Sequence, residues 1–139
     1  MKPELETLRA FFRSAPFMAD LGIEPFEGEA GRIATRVVLA QRHLQHTGVV
    51  HAGVIGAMAD HTMGAAAQTL APEGHWVLTA EFKVSLLRGG RGQALECVGL
   101  VVKPGRQLSF TEAEVYAEQG GVRTLVMKAS ATMAIVAAE

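Results

Sequence analysis

The chain has 139 residues, 49% of them hydrophobic and 19% charged, with a formal net charge of −1. That length fits one domain with a sizeable core, and the composition excludes a disordered chain. The near-zero charge excludes a whole-protein attraction to nucleic acid or to an anionic membrane, and the single cysteine, Cys97, excludes an internal disulfide and a cysteine-rich zinc site.

Residues 3–13 are predicted to form a short helix, because Leu5, Leu8, Phe11 and Phe12 are spaced for one face. Residues 15–20 add a further turn. The opening MKPELETLRAFF carries Glu4 and Glu6 and no long apolar run, so it does not read as a secretory signal. With the lone cysteine, this points to a reducing, cytoplasmic setting. The stretch GIEPFEGEAGRIATRVVLAQ reads as a hairpin with strands near 22–28 and 31–39 and a turn at Glu29-Ala30-Gly31. Pro25 marks the first of these as an edge or bulged strand. Acids dominate this end, six against three bases in residues 1–30.

Residues 52–71, rich in alanine and methionine and closed by Pro72, are predicted to be a helix apolar on nearly all faces and therefore buried all round. Asp60, His61 and Gln68 interrupt what would otherwise approach a membrane span. Gly53, Gly56 and Gly64 each cost about 1 kcal/mol against alanine in a helix, tolerable where a sheet, a partner helix or a ligand comes close. A carboxylate in the middle of such a helix demands a reason, since charged side chains are rarely buried unless paired or used.

The remainder reads as strand. LTAEFKVSL alternates, with Leu78, Ala80, Phe82, Val84 and Leu86 on one face and Thr79, Glu81, Lys83 and Ser85 on the other. Arg88–Gly92 reads as a turn, 93–102 as a strand, Lys103–Arg106 as a turn and 107–118 as a strand. Gln119–Gly121 turns again, and 122–136 is the last strand, with Leu125, Met127, Ala129, Ala131, Met133 and Ile135 on one face. The short turns predict a four-strand antiparallel meander. Residues 81–106 hold five bases against two acids, a patch suited either to a phosphate-bearing ligand or to solvent. A helix apolar all round and a sheet of about six strands are reconciled if the sheet curls around the helix and a second copy covers what is left. This predicts an α+β fold in a single domain over residues 1–139, 1–20 being an N-terminal helical segment, and an oligomer.

Three stretches carry a resemblance. They are Gly48-Val49-Val50-His51-Ala52-Gly53 with Asp60 nine residues after the histidine, Val77–Arg88, and Lys103–Phe110. Together they resemble the hot-dog-fold acyl-CoA thioesterases of the PaaI-like branch over roughly residues 15–136. The resemblance implies a curved sheet around one central helix and hydrolysis of an aryl- or medium-chain acyl-CoA to the free acid and CoA. It implies a homodimer or dimer of dimers, and no cofactor, since water and the thioester are the only reactants.

A thioester carbonyl needs an oxyanion stabiliser and an activated nucleophile. A helix start offers unpaired amides and partial positive charge, and the amides of Ala52 and Gly53, just after His51, are expected to point where an oxyanion sits. The resemblance makes Ala52 the oxyanion donor, with His51 shaping the loop. It makes Asp60 either the general base or the nucleophile. Asp60 stands eight residues beyond Ala52, roughly 12 Å along the helix, so the two are expected to meet at one carbonyl only across a subunit interface. The resemblance implies that Gln45, with His46 as its fallback, holds the water or the thioester, the alternative being an ordinary polar loop residue. His61 faces away from Asp60. Thr79 matches the family's strand position near the substrate, although its parity sets it opposite the apolar face. Arg88, Lys103 and Arg106 are candidates for CoA phosphates. Met63 and Phe82 are candidates for the acyl pocket and equally for plain core. No H-x-x-x-H spacing offers a metal site. The family usually has two glycines after the histidine; Ala52 replaces the first, keeping the amide but adding a Cβ. The competing readings are a non-catalytic acyl-CoA-binding module and a hot-dog enoyl-CoA hydratase or dehydratase. No nucleic-acid or membrane partner is expected.

Overall fold

The computed structural model describes residues 1–139. In chain order the elements are α1 (Leu5–Ser14), α2 (Pro16–Leu21), β1 (Glu24–Glu29), β2 (Arg32–Val38), one 3-10 turn (Gln41–His43), α3 (Ala52–Gln68), β3 (His75–Leu86), β4 (Ala94–Lys103), β5 (Leu108–Gln119) and β6 (Val122–Ala137). The strands form one antiparallel sheet in the order β1-β2-β4-β5-β6-β3. It curls around α3, which packs against β2, β3, β4, β5 and β6. This is the hot-dog arrangement anticipated from the sequence.

The hairpin of β1 and β2 has the predicted turn, and β1 is an edge strand bulged between Pro25 and Glu27. Both readings of Pro25 therefore hold together: a residue without an amide hydrogen sits where the ladder is already incomplete.

The four-strand meander is corrected to three strands. β4, β5 and β6 follow one another, but β3 pairs with β6 and not with β4. Residues 87–93 are a crossover passing the start of α3, and the glycines in it serve close approach. A Cβ on Gly89 would stand 3.1 Å from Val49 Cγ1, and the Gly90 carbonyl accepts the Val50 amide at 3.0 Å.

A second correction concerns which residues of β3 face α3. A bulge between Thr79 and Glu81 takes Ala80 out of register. Val77 and Thr79 before it, and Phe82, Val84 and Leu86 after it, pair with Ile135, Met133, Ala131, Ala129 and Met127. Directly paired residues share a face, so all five turn inward, while Leu78 turns outward. In β6 the register shift opposite Val115/Tyr116 leaves Val126 unpaired, and Leu125 leaves the inward row.

Side chains fix α3 at both ends. His51 is its N-cap, with Nδ1 accepting the Gly53 amide at 2.8 Å. At the other end the Gln68 side chain acts as a strand partner. Its Nε2 donates to the His75 carbonyl at 2.9 Å and its Oε1 accepts the Val77 amide at 3.0 Å, which ties the helix end to β3. The sheet comes closest at Gly99, where an added Cβ would stand 3.0 Å from backbone atoms of Thr62 and Met63. Between α3 and the sheet, Thr35 and Thr62 share a buried hydrogen bond of 2.8 Å. Beside them burial pushes the Cys97 thiol up to about 12, so this cysteine is inert.

Candidate active site

The loop before α3 is fixed by residues that have no part in chemistry. His43 is fully buried; its Nδ1 accepts the Ala40 amide at 2.9 Å. Its proton is therefore on Nε2, which donates to the Leu21 carbonyl at 2.7 Å. The His43 carbonyl in turn accepts the His51 amide at 2.8 Å, and Leu44 bridges to Val50. This sets the direction in which α3 begins.

Of the first amides of α3, those of Val54 and Ile55 go to the His51 carbonyl, at 3.0 and 3.3 Å. The Gly53 amide is taken by the His51 ring. Gly53 is thus corrected from second oxyanion donor to capped helix residue. The Ala52 amide is the one left without a hydrogen bond in the chain, on an exposed residue where the helix dipole is positive. With Nδ1 accepting, a neutral His51 carries its proton on Nε2.

A cleft of about 640 Å³ opens at this helix start, lined by Gln45, His46, His51, Ala52 and Arg88, with Ile55 and Leu86 as apolar walls. Gln45 is held in place, its Oε1 accepting the Thr47 backbone amide and its backbone N–H donating to the Val49 carbonyl. Four expected site residues, Gln45, His51, Ala52 and Arg88, are therefore brought together. The crossover residues Gly89 and Gly90, which also line this cleft, went unrecognised in the sequence because a glycine run reads as a turn.

Asp60 is elsewhere on the same helix. It is half-buried, and its Oδ1 accepts the Thr79 hydroxyl at 2.6 Å. The bulge at Ala80 makes this possible by keeping Thr79 on the face toward α3. One carboxylate oxygen is thereby held and the other is left over. Phe82 follows on the same face, 45% exposed.

Other expected residues are not brought in. Met63 is fully buried in the core beneath α3, so it is corrected from pocket wall to core packing. Lys103 and Arg106 lie at the far end of the sheet from Arg88. There Val101 bonds Gly31, and Gly31 bonds Thr69 just past the last turn of α3. The basic patch is accordingly two patches. His61 points away from Asp60, as its neighbouring position requires, and packs on α1. No three His, Cys, Asp or Glu side chains converge to form a metal-binding group.

Residues 47–124 match the family described as the thioesterase superfamily, a stretch that runs from the loop before the helix into β6. The chain belongs to the thioesterase superfamily. It is a thioester hydrolase of hot-dog fold. This thioesterase is 32% identical to a thioesterase family protein from Silicibacter pomeroyi, over 95% of this chain and 97% of that one, with a TM-score of 0.91. A thioesterase from Haemophilus influenzae shares its fold at 21% identity and a TM-score of 0.87, covering 99% and 93% of the two chains. A protein from Bacillus halodurans solved with CoA shares the fold at 23% identity and a TM-score of 0.69, covering 74% and 66%. No curated protein sequence matches the thioesterase.

Proposed function

We propose that this thioesterase hydrolyses an aryl- or medium-chain acyl-CoA to the free acid and CoA, at a site built from two copies of the chain. In this reading the Ala52 amide of one copy binds the thioester oxygen and Asp60 of the other activates the water. The observation that carries it is the separation of the two halves. The free amide and the Thr79-anchored carboxylate lie about 12 Å apart along one rigid helix, too far to serve one carbonyl. Each half therefore needs its counterpart from elsewhere, and a two-fold arrangement supplies both at once.

β3 offers the means. It is a 12-residue edge strand with Leu78, Phe82 and Leu86 about half exposed, the kind of edge that pairs with another chain. The cationic Arg88 at the cleft fits a phosphate-bearing carrier. The presence of CoA in the Bacillus halodurans protein supports CoA as that carrier.

The chemistry follows from the two halves. A water between Asp60 and the carbonyl loses its proton to the free carboxylate oxygen as it attacks. The oxyanion of the tetrahedral intermediate is held by the Ala52 amide, and its collapse expels the CoA thiolate. Thr79 fixes the carboxylate in its working orientation. Direct attack by Asp60 on the carbonyl would instead expel the thiolate and form a mixed anhydride; ¹⁸O entering Asp60 in one turnover in labelled water reports that route when water attacks the aspartyl carbon, and anhydride caught by rapid quench reports it when water attacks the acyl carbon.

The test is Asp60→Asn against a panel of acyl-CoA thioesters, read by free-thiol release. Hydrolysis is expected to vanish with unchanged circular dichroism and thermal midpoint; turnover near the wild-type rate would dismiss the role of Asp60. The shared site is tested by mixing. Ala52→Pro removes only the free amide, because proline suits the first helical position and His51 before it is already extended. Ala52→Pro and Asp60→Asn are each inactive alone. Mixed after subunit exchange they are expected to recover about a quarter of the wild-type rate, since half the dimers are mixed and each holds one intact site.

A further inference from the structure

His61 is a titratable group that the hydrolysis does not use, and its surroundings are unusual for an imidazole. Its ring stacks on Phe11, with centroids 5.6 Å apart and planes at 27°, and meets Phe12 edge-on at 4.7 Å. Its Nε2 is sealed from solvent and has no hydrogen-bond partner. Both phenylalanines belong to α1, which lies outside the stretch that matches the family. The turn of α3 bearing Asp60 and His61 is thus held on two sides, by Thr79 of β3 and by the aromatic pair of α1.

A neutral imidazole tolerates this setting, because its unprotonated nitrogen needs no acceptor. An imidazolium does not, since it would bury an N–H without an acceptor and a charge among apolar groups. α1 meets His61 with the rings of Phe11 and Phe12. The charged side chains of α1, namely Glu6, Arg9 and Arg13, are solvent-exposed. Asp60 is the one charge whose field reaches the ring. Burial lowers the proton affinity of His61, and the attraction of Asp60 opposes this without overcoming it.

We propose that α1 is an acid-released strap: protonation of His61 breaks the Phe11–His61–Phe12 stack, undocks residues 5–14 from α3 and frees the turn that carries Asp60. The sign follows from linkage. A group that binds protons more weakly when docked than when released makes docking lose strength as the pH falls. The strap is at full strength above the ordinary histidine value of about 6.5 and loosens as the pH drops from there toward the lowered docked value. Only the consequence for turnover rests on the reading of Asp60 given above; the release itself does not.

The experiment uses the full chain without substrate, so its outcome is independent of whether Asp60 is catalytic. Amide exchange of residues 5–14 is compared near pH 7.5 and near pH 5, after correction for the intrinsic pH dependence of exchange. In the wild type, protection of α1 is expected to fall roughly tenfold or more at the lower pH while that of α3 outside the turn of Asp60 holds. In His61→Phe, which keeps an aromatic ring between the phenylalanines and cannot titrate, protection is expected to persist. Trp76, the only tryptophan, shares a cleft with Phe11 and Met1, so its emission reports undocking directly. If His61→Phe does not fold, a histidine NMR titration of the wild type decides. The His61 resonance is expected to titrate together with the Trp76 change. Titration of His61 with α1 still protected would overturn the proposal, as would equal acid release in His61→Phe.

Discussion

In the proposed reaction Asp60 depends on Thr79 for its orientation. A carboxylate on an otherwise apolar helix is free to turn between rotamers unless something holds it, and the 2.6 Å hydrogen bond from Thr79 does so. Thr79→Val is expected to lower kcat about tenfold or more, equivalent to roughly 1.4 kcal/mol of barrier, with little change in thermal midpoint. Thr79→Ser restores it; steady-state kinetics check both. Ala52→Pro is expected to lower kcat about 10²–10³-fold, the usual consequence of losing one oxyanion donor. At this scale the sequence was partly legible. The spacing of His51 and Asp60 and the position of Ala52 could be read because a helix converts residue count into distance. The fate of the Gly53 amide could not, because it depends on the rotamer of His51, and no spacing encodes a rotamer. Met63 was misread for a similar reason: an all-round apolar helix gives no sign of which methionine meets the sheet and which meets a ligand.

Among the elements, α3 and the strand of Gly99 pack with no room to spare. Gly99→Ala would push a Cβ against the backbone of Thr62 and Met63 at 3.0 Å, and backbone within a helix cannot give way locally. The variant is expected to lose about 1–3 kcal/mol of stability, the usual range for overpacking, and thermal denaturation measures it. β3 gives the clearest account of what a sequence hides. Its alternation over LTAEFKVSL is unbroken, so one residue inserted into the ladder at Ala80 leaves no trace in the pattern. That insertion is what allows Thr79 and Phe82 to share a face. The existence of every strand was readable from turn residues and alternation, although β3 begins at His75, ahead of the alternating stretch LTAEFKVSL. The partnership of β3 with β6 was not, because hairpin reasoning assumes that strands joined by a short glycine-rich segment are neighbours, whereas this segment is anchored to Val50.

For the whole molecule, the sheet-around-helix architecture was legible because a helix with no polar face must be enclosed, and α3 is enclosed by five strands. What it leaves open is the β3 edge, where the proposed two-copy site would form. Val84→Lys places a charge on that edge, a device by which natural edge strands avoid pairing. The variant is expected to elute as a monomer by light scattering, to keep its circular dichroism and to lose hydrolysis; a monomer as active as the wild type would remove the need for a shared site. The strand order also determines when that edge exists. β3 leaves the ribosome early, yet its partner β6 is the last strand made, and β4 and β5 must be laid down between them. Until synthesis is almost finished, the apolar residues of β3 have no ladder to join and both of its edges are open. The nascent chain thus exposes the segment it would use for self-association at the stage when premature pairing with another chain is most damaging. Closure waits on a contact between residues far apart in sequence, which makes it slow. Truncation before β6 leaves an adhesive chain rather than a smaller folded one.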